Sequence, residues 1–532
     1  MSILQYPRPS MARVSAIVLG AALATSAAGA ASASSFLDNY SLVISETTYS
    51  NVGAVANLVA GVSQLPGANA GQSVTATSNG GLSTVFNNSN VDPSFGVTSA
   101  ITLQDLNVSG ATPKVNGTLN VDPSVVSTSF SSKSELSLNI AQTSGGSVVT
   151  FMGYNGGGVG NVDVSNSDTT AFKDTTNPVT SFFAPNAGQT YAFNRDVVAV
   201  SASGAVSTTQ TLAYGGNNGR SAILAPNGQY YTVGNSNNGS GTPSQLTTST
   251  GLEVVTPGST PNSTMVNAGF TSVSGDKAGK DSNFRGLTLY NGTLYFTKGS
   301  GSNGIDTVYE VSNPGGALPT AGTAGSAQIS IVPGFPTDLA ASPKKGGDGG
   351  AFTPFGLFFA NADTLYVADE GTGNATDAAN HAGLEKWSLV GGVWKLDYTL
   401  QGALIGQTYD VSGVNSGQAG FVDGVETTGL RDLTGRVNAD GTVTLFAVTA
   451  TSGGYADTGA DPNEIVAITD TLGDTTLPNG ESFTVLDGPQ YGVRYGGVAF
   501  NGVPEPASWA LMLIGVAGLG GAMRTRRRTV NA

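Results

Sequence analysis

Between residues 34 and 502 the chain holds only six arginines. Five of them, Arg195, Arg220, Arg285, Arg431 and Arg494, stand at or just before a short apolar run. A guanidinium carries a fixed fork of N–H donors that matches carboxylate, sulfate and phosphate oxygens. If the five runs line one channel, the forks gather at one end and would bind an anion or an acidic glycan there. The competing reading is structural. Each arginine then caps loop carbonyls or pairs with a nearby carboxylate such as Asp196 or Asp432.

Carboxylates offer a second chemistry. Asp369, Glu370, Asn374 and Asp377 form one cluster, Asp457, Asp461, Asn463 and Glu464 another, and Asp423 with Glu426 a third. Hard oxygen ligands without His or Cys suit calcium over zinc or copper. None of the clusters has EF-hand spacing, and solvated acidic loops are the plainer account of them.

Elimination narrows the catalytic options. His381 is the only histidine and cysteine is absent. Thiol catalysis and His/Cys zinc sites are therefore excluded. A Ser-His-Asp triad would need His381. That residue lies in a Gly/Asn/Ala-rich stretch, residues 371–383, with no nucleophile-elbow motif nearby. The run Gly156-Gly157-Gly158-Val159-Gly160 lacks the strand-to-helix setting of a dinucleotide fingerprint and reads as a turn. The expectation is that the protein is not an enzyme.

Placement of these groups depends on strands. Helical signals are nearly absent from residues 34–502, where short Val/Ile/Leu/Phe/Tyr/Thr runs are cut by Asn-Gly, Gly-Gly and Asp-Gly turns. That pattern is all-β with many short strands. One hairpin joins residues 220–224 to 229–234 across Pro226-Asn227-Gly228, and another joins 285–289 to 293–297 across Asn291-Gly292. Two more join 355–359 to 364–369, and 431–437 to 442–449. Outer strands follow, as at residues 307–311 and at 384–389 with 394–396. Four antiparallel strands per repeated unit build a β-propeller blade.

Earlier hairpins are read at 137–140 with 148–153, and at 195–200 with 205–207. Residues 40–45 open the body and 495–500 close it, and pairing them would close the ring and remove free edges. The expected fold is an all-β propeller of seven blades, within a range of six to eight. An elongated β-sandwich or β-helix is the alternative. The stretch Leu365 to Asp369 resembles blade strands of secreted six- and seven-bladed propellers.

The two ends of the chain read differently from its middle. Arg8 and Arg13 precede an apolar stretch from Val14, and Ala31-Ser32-Ala33 supplies a small-residue cleavage pattern. Residues 1–33 are thus expected to be a signal peptide. At the other end Val503-Pro504-Glu505-Pro506 leads into an uncharged apolar run, residues 507–523, followed by Arg524, Arg526, Arg527 and Arg528. The run is at the low end of the length that spans a bilayer. The arginines after it would hold that end in the cytoplasm.

The Pro-Glu-Pro, the short apolar run and the arginine cluster resemble the PEP-CTERM sorting tail. The resemblance covers residues 503–532 alone. It implies an exported bacterial protein handled by an exosortase-type membrane enzyme. The secreted body is then residues 34–502. It holds 16 basic and 35 acidic residues, a net charge of −19, which repels nucleic acid.

The expected function is a non-enzymatic surface or extracellular-matrix protein, retained with exopolysaccharide. The alternative is a secreted propeller hydrolase or lyase, assisted by calcium.

Overall fold

The computed structural model describes residues 35–66, 73–79, 82–87, 96–110, 112–162, 164–167, 169, 193–236, 248–272, 279, 281–300, 303–313, 316–340, 352–373, 382–409, 411, 425–452 and 460–502. The expected signal peptide lies outside these residues, as do Asn374, Asp377, His381, Asp423 and Asp457. The tail with Val503, Pro504, Glu505, Pro506, Arg524, Arg526, Arg527 and Arg528 also lies outside them.

The chain enters on β1 (Ser41–Thr48) and makes an excursion of four short strands: β2 (Gln64–Pro66), β3 (Ser73–Thr75), β4 (Thr77–Asn79) and β5 (Leu82–Asn87). It returns as β6 (Thr98–Asn107) and β7 (Lys114–Val121), and then β8 (Val126–Ser129). A four-stranded unit follows: β9 (Asn139–Thr143), β10 (Gly146–Asn155), β11 (Arg195–Ser201) and β12 (Val206–Thr211).

Three separate four-stranded antiparallel sheets come next. The first is β13 (Gly219–Leu224), β14 (Tyr230–Gly234), β15 (Gly251–Val255) and β16 (Thr264–Met265). The second is β17 (Leu287–Tyr290), β18 (Thr293–Lys298), β19 (Thr307–Ser312) and β20 (Gln328–Ile331). The third is β21 (Pro354–Asn361), β22 (Thr364–Asp369), β23 (Gly383–Val390) and β24 (Val393–Leu400). A five-stranded sheet adds β25 (Thr408–Tyr409) outside β26 (Val425–Val437), β27 (Thr442–Ser452), β28 (Ile465–Thr471) and β29 (Thr484–Asp487).

The last strand, β30 (Val493–Asn501), pairs with the first: Ser41 faces Asn501 and Ile44 faces Val498. β30, β1, β6 and β7 thereby form one antiparallel unit made from both ends of the body. Strand β8 links that unit to β9–β12, so the two share a nine-stranded sheet.

The body is therefore all-β and propeller-like, but the expectation of seven blades is corrected. Four sheets stand alone as blades. Nine further strands merge into one sheet, because β8 pairs with both of its halves, and β2–β5 form two small two-stranded sheets. The hairpin at 195–207 is the outer pair of the β9–β12 unit and makes no blade of its own.

Both faces of most strands are buried, so successive residues feed different cores. Tyr231 and Val233 pack toward Phe284, Phe296 and Tyr309 of the next sheet, while Tyr230 packs toward Met152 and Val197 of the preceding one. Comparable clusters fill each later gap, ending with Leu42, Ile44 and Phe446 beside Val498 and Phe500. The innermost strands follow one another in a cycle, β9 to β13, β17, β21, β26, β30 and back to β9. A channel of about 220 Å³ runs between them, lined by Ile140, Ile223, Leu287, Leu357, Leu433 and Ala499.

Close approach of these strands needs glycine. A Cβ on Gly286 would stand 1.8 Å from the Phe355 carbonyl oxygen. One on Gly497 would stand 2.2 Å from the Leu136 carbonyl oxygen.

Candidate functional site

Each inner strand of a separate blade runs from one end of the channel to a tight turn at the other. The arginines mark the starting end. Arg220 is the second residue of β13, Arg285 stands two residues before β17, Arg431 lies within β26, and Arg494 is the second residue of β30. Arg195 begins β11, the third strand of its unit, and the innermost strand there is β9. The expectation that all five precede an innermost strand is corrected for Arg195. Its run 195–200 has the same apolar composition as an inner strand.

All five arginines are at most 5% exposed. Arg195 donates to the carbonyls of Ser165, Ser167, Phe193 and Asn217. Arg494 donates to the Phe130 carbonyl at 2.9 Å. These two hold loops in place, as the structural reading requires. Arg220 donates to the Phe284 carbonyl at 2.7 Å and to Asn283, and its Nε has no partner among the described residues.

The other cations converge on a carboxylate. Glu370 lies 3.0 Å from Lys133 Nζ, 3.3 Å from Arg431 Nε and 3.4 Å from Arg285 Nη1. Burial alone would push its carboxyl up. Lys133, Arg285 and Arg431 outweigh that and hold it down at about 2. The same crowding acts on the cations. Burial, with Arg285 adding repulsion, pulls Arg220 down to about 9, so it stays charged at neutral pH. Desolvation draws Lys133 down to about 8, opposed by Glu370 and reinforced by Arg285 and Arg431. Lys133 is the member that reaches solvent, with 35% of its side chain exposed.

Lys133 belongs to the loop between β8 and β9, which lies over this end of the channel. Ser134 accepts from Arg285 at 2.9 Å. Ser137 and the Leu138 N–H donate to the two oxygens of Asp432, and the Val498 N–H donates to it as well. Glu135, in the same loop, accepts from Thr128, the Ser129 N–H and Tyr154. Burial raises its pKa.

The acidic candidates separate. Asp369 is buried and accepts from the Thr353 N–H, the Thr353 hydroxyl and the Gly371 N–H. Glu370 faces cations instead of other carboxylates. Asp461 is buried on the approach to β28. No group of three or more His, Cys, Asp or Glu residues able to hold a metal ion occurs among the described residues.

Sequence reasoning missed Lys133 and the role of Asp432 as anchor of the loop. Neither carries a local pattern, since Lys133 and Glu370 are 237 positions apart.

The opposite end of the channel is formed by the turns. A cavity of about 550 Å³ there is lined by Ile140, Thr143, Ile223, Leu224, Ala225 and Leu289.

No curated protein matches the sequence. Among solved structures, the chain is similar to a Bacteroides fragilis protein described as a 6-phosphogluconolactonase, with 9% identity and a TM-score of 0.33, covering 86% of this chain and 98% of that one. It is also similar to the NanB sialidase of Streptococcus pneumoniae, with 9% identity and a TM-score of 0.34, covering 73% of this chain and 64% of that one. A third is the GH43 protein BlXynB of Bacillus licheniformis, with 10% identity and a TM-score of 0.26, covering 81% of this chain and 55% of that one.

Residues 502–528 match the PEP-CTERM protein-sorting motif. The motif implies processing by an exosortase, a membrane protein, and sorting toward the cell surface or extracellular space. This chain is thus an all-β, propeller-like body that carries a PEP-CTERM sorting motif at its C-terminus.

Proposed function

We propose that the body is a non-enzymatic surface or matrix protein whose charged channel end holds an acidic exopolysaccharide. One observation supports this above the others: Lys133, Arg285 and Arg431 close on a single carboxylate, Glu370, with Arg220 near enough to be repelled by Arg285. The body is acidic as a whole, yet around Glu370 three cations face one carboxylate. A uronate or sulfate group meeting Lys133 from solvent would add a second anion to that group through charge-assisted hydrogen bonds.

The test is titration calorimetry of the body, residues 34–502, with polygalacturonate and with neutral dextran. Binding of the polyuronate alone, weakened at least tenfold by Lys133→Gln, is the expected result. Equal binding of both polymers, or no change in Lys133→Gln, contradicts the reading. Shortening of the polymer during the titration would replace binding by catalysis.

A further inference from the structure

The turn-lined end of the wheel carries a surface that the charged end does not account for. Tyr40, Val115, Val206, Val390, Val437 and Leu477 are large apolar side chains between 37% and 59% exposed. Strand direction places them at one end of the body. Tyr40 precedes Ser41, which pairs with Asn501 and Asn107, and Val115 pairs near Asn107. Val206 leaves the β11–β12 turn, Val390 the β23–β24 turn and Val437 the β26–β27 turn. Leu477 lies in the connection from β28 to β29. In antiparallel four-stranded units these connections all fall at the end opposite the arginines. The 550 Å³ cavity, lined by both apolar and polar side chains, opens at the same end.

The chain also leaves the body there. β30 runs from Arg494 at the charged end to Asn501, whose side chain meets Gln142 and Ser147 beside the cavity. The apolar run of the sorting tail begins at residue 507. Five residue steps from Gly502 reach at most about 17 Å.

We infer that, while the tail is uncut, the turn-lined face lies against the lipid surface and the charged end points away from it. This rests on the reading of residues 507–523 as a membrane anchor. Exposed apolar side chains suit a bilayer interface, and since Val52, Val59, Val62 and Val125 are also exposed away from this end, it is the exit of the chain that selects this face. Asp38, Asp363, Asp440 and Asp474 share the face with Lys114 and Lys395, so the surface that fits is zwitterionic and not strongly anionic. The polymer site is thereby presented outward, where a long acidic chain can reach it.

The absence of cysteine makes the test direct. Single variants Val206→Cys, Val437→Cys and, for the other end, Val125→Cys are made in the full chain. Each is labelled with a bimane fluorophore and reconstituted in phosphatidylcholine vesicles with brominated acyl chains. The labels at positions 206 and 437 should lose at least half their emission to the bromolipid and resist aqueous iodide. The label at 125 should do the reverse. Equal response at all three positions in a chain that floats with the vesicles overturns the orientation and leaves the anchor reading standing. A full chain that does not float with them overturns both.

Discussion

The two ends of the channel are built from the same strands and bury opposite things. At the end where the inner strands begin, Lys133, Arg285 and Arg431 surround Glu370, under a loop fastened by Asp432. At the end where they turn, Ile140, Ile223, Leu224 and Leu289 line a cavity with Gln142, Thr143 and Ser144, and valines of other turns stand exposed at the same end. Turn geometry explains part of the contrast. A hairpin of Asn-Gly or Asp-Gly type needs little besides its own backbone to close. The opposite end must receive long connections from the previous unit, whose carbonyls need donors. Arginine supplies several donors from one side chain, as Arg195 does for four loop carbonyls. The charged end is therefore expected to govern stability, and the turn end to govern contact with surroundings.

The largest expected effect breaks the charged end. Glu370→Gln leaves three buried or half-buried cations without their shared anion. Removing one partner of a buried pair costs about 3–5 kcal/mol. Urea unfolding should show that loss as a lower midpoint with an unchanged slope. A loss below about 1 kcal/mol would mean solvent screens the cluster, on the scale of exposed pairs.

An intermediate effect comes from pH, and it sharpens the contrast. Glu370 is depressed to about 2 from 4.5, so its contribution is present above pH 4.5 and drains away as pH falls toward 2. Desolvation raises Asp196 to about 7, and Asp369 and Asp432 to about 6. The folded state holds those protons longer, so their contribution is full below their ordinary value of 3.8 and is lost as pH rises through 6 to 7. Thermal unfolding followed across pH 3 to 8 should give the highest Tm near pH 4, with a fall on both sides that is steepest between about 4 and 6, where three carboxyls lose their advantage together. A Tm that rises steadily to pH 8 would contradict the burial of these carboxyls.

The smallest expected effect is at the turn end. Val437→Ser exchanges an exposed side chain and should shift stability of the body by no more than about 0.5 kcal/mol. Its consequence should instead be a weaker hold on phosphatidylcholine vesicles, read by flotation of the full chain. A large loss of stability would show that the valine is packed in solution and not displayed.

Much of this architecture was legible in the sequence. The hairpins at 220–234, 285–297, 355–369 and 431–449 could be read because turn residues and alternation are local signals. Their pairings match, as Ile223 with Tyr231 and Leu289 with Leu294 illustrate. The union of the first and last strands was also readable, because a ring leaves two unpaired segments to meet. The blade count was not. Strand β8 is only four residues long, and its pairing with two units joins sheets that look separate along the chain. The site was half legible. Arg285, Arg431 and Glu370 stood out as candidates, but Lys133 lies in an irregular loop, and only the folded channel brings it to Glu370.

Polyuronate binding to the body tests the charged end most directly. Titration of Lys133→Gln beside the unaltered body should show the affinity for polygalacturonate reduced at least tenfold, with the unfolding midpoint little changed. Undiminished affinity in that variant would contradict a ligand held at the charged end.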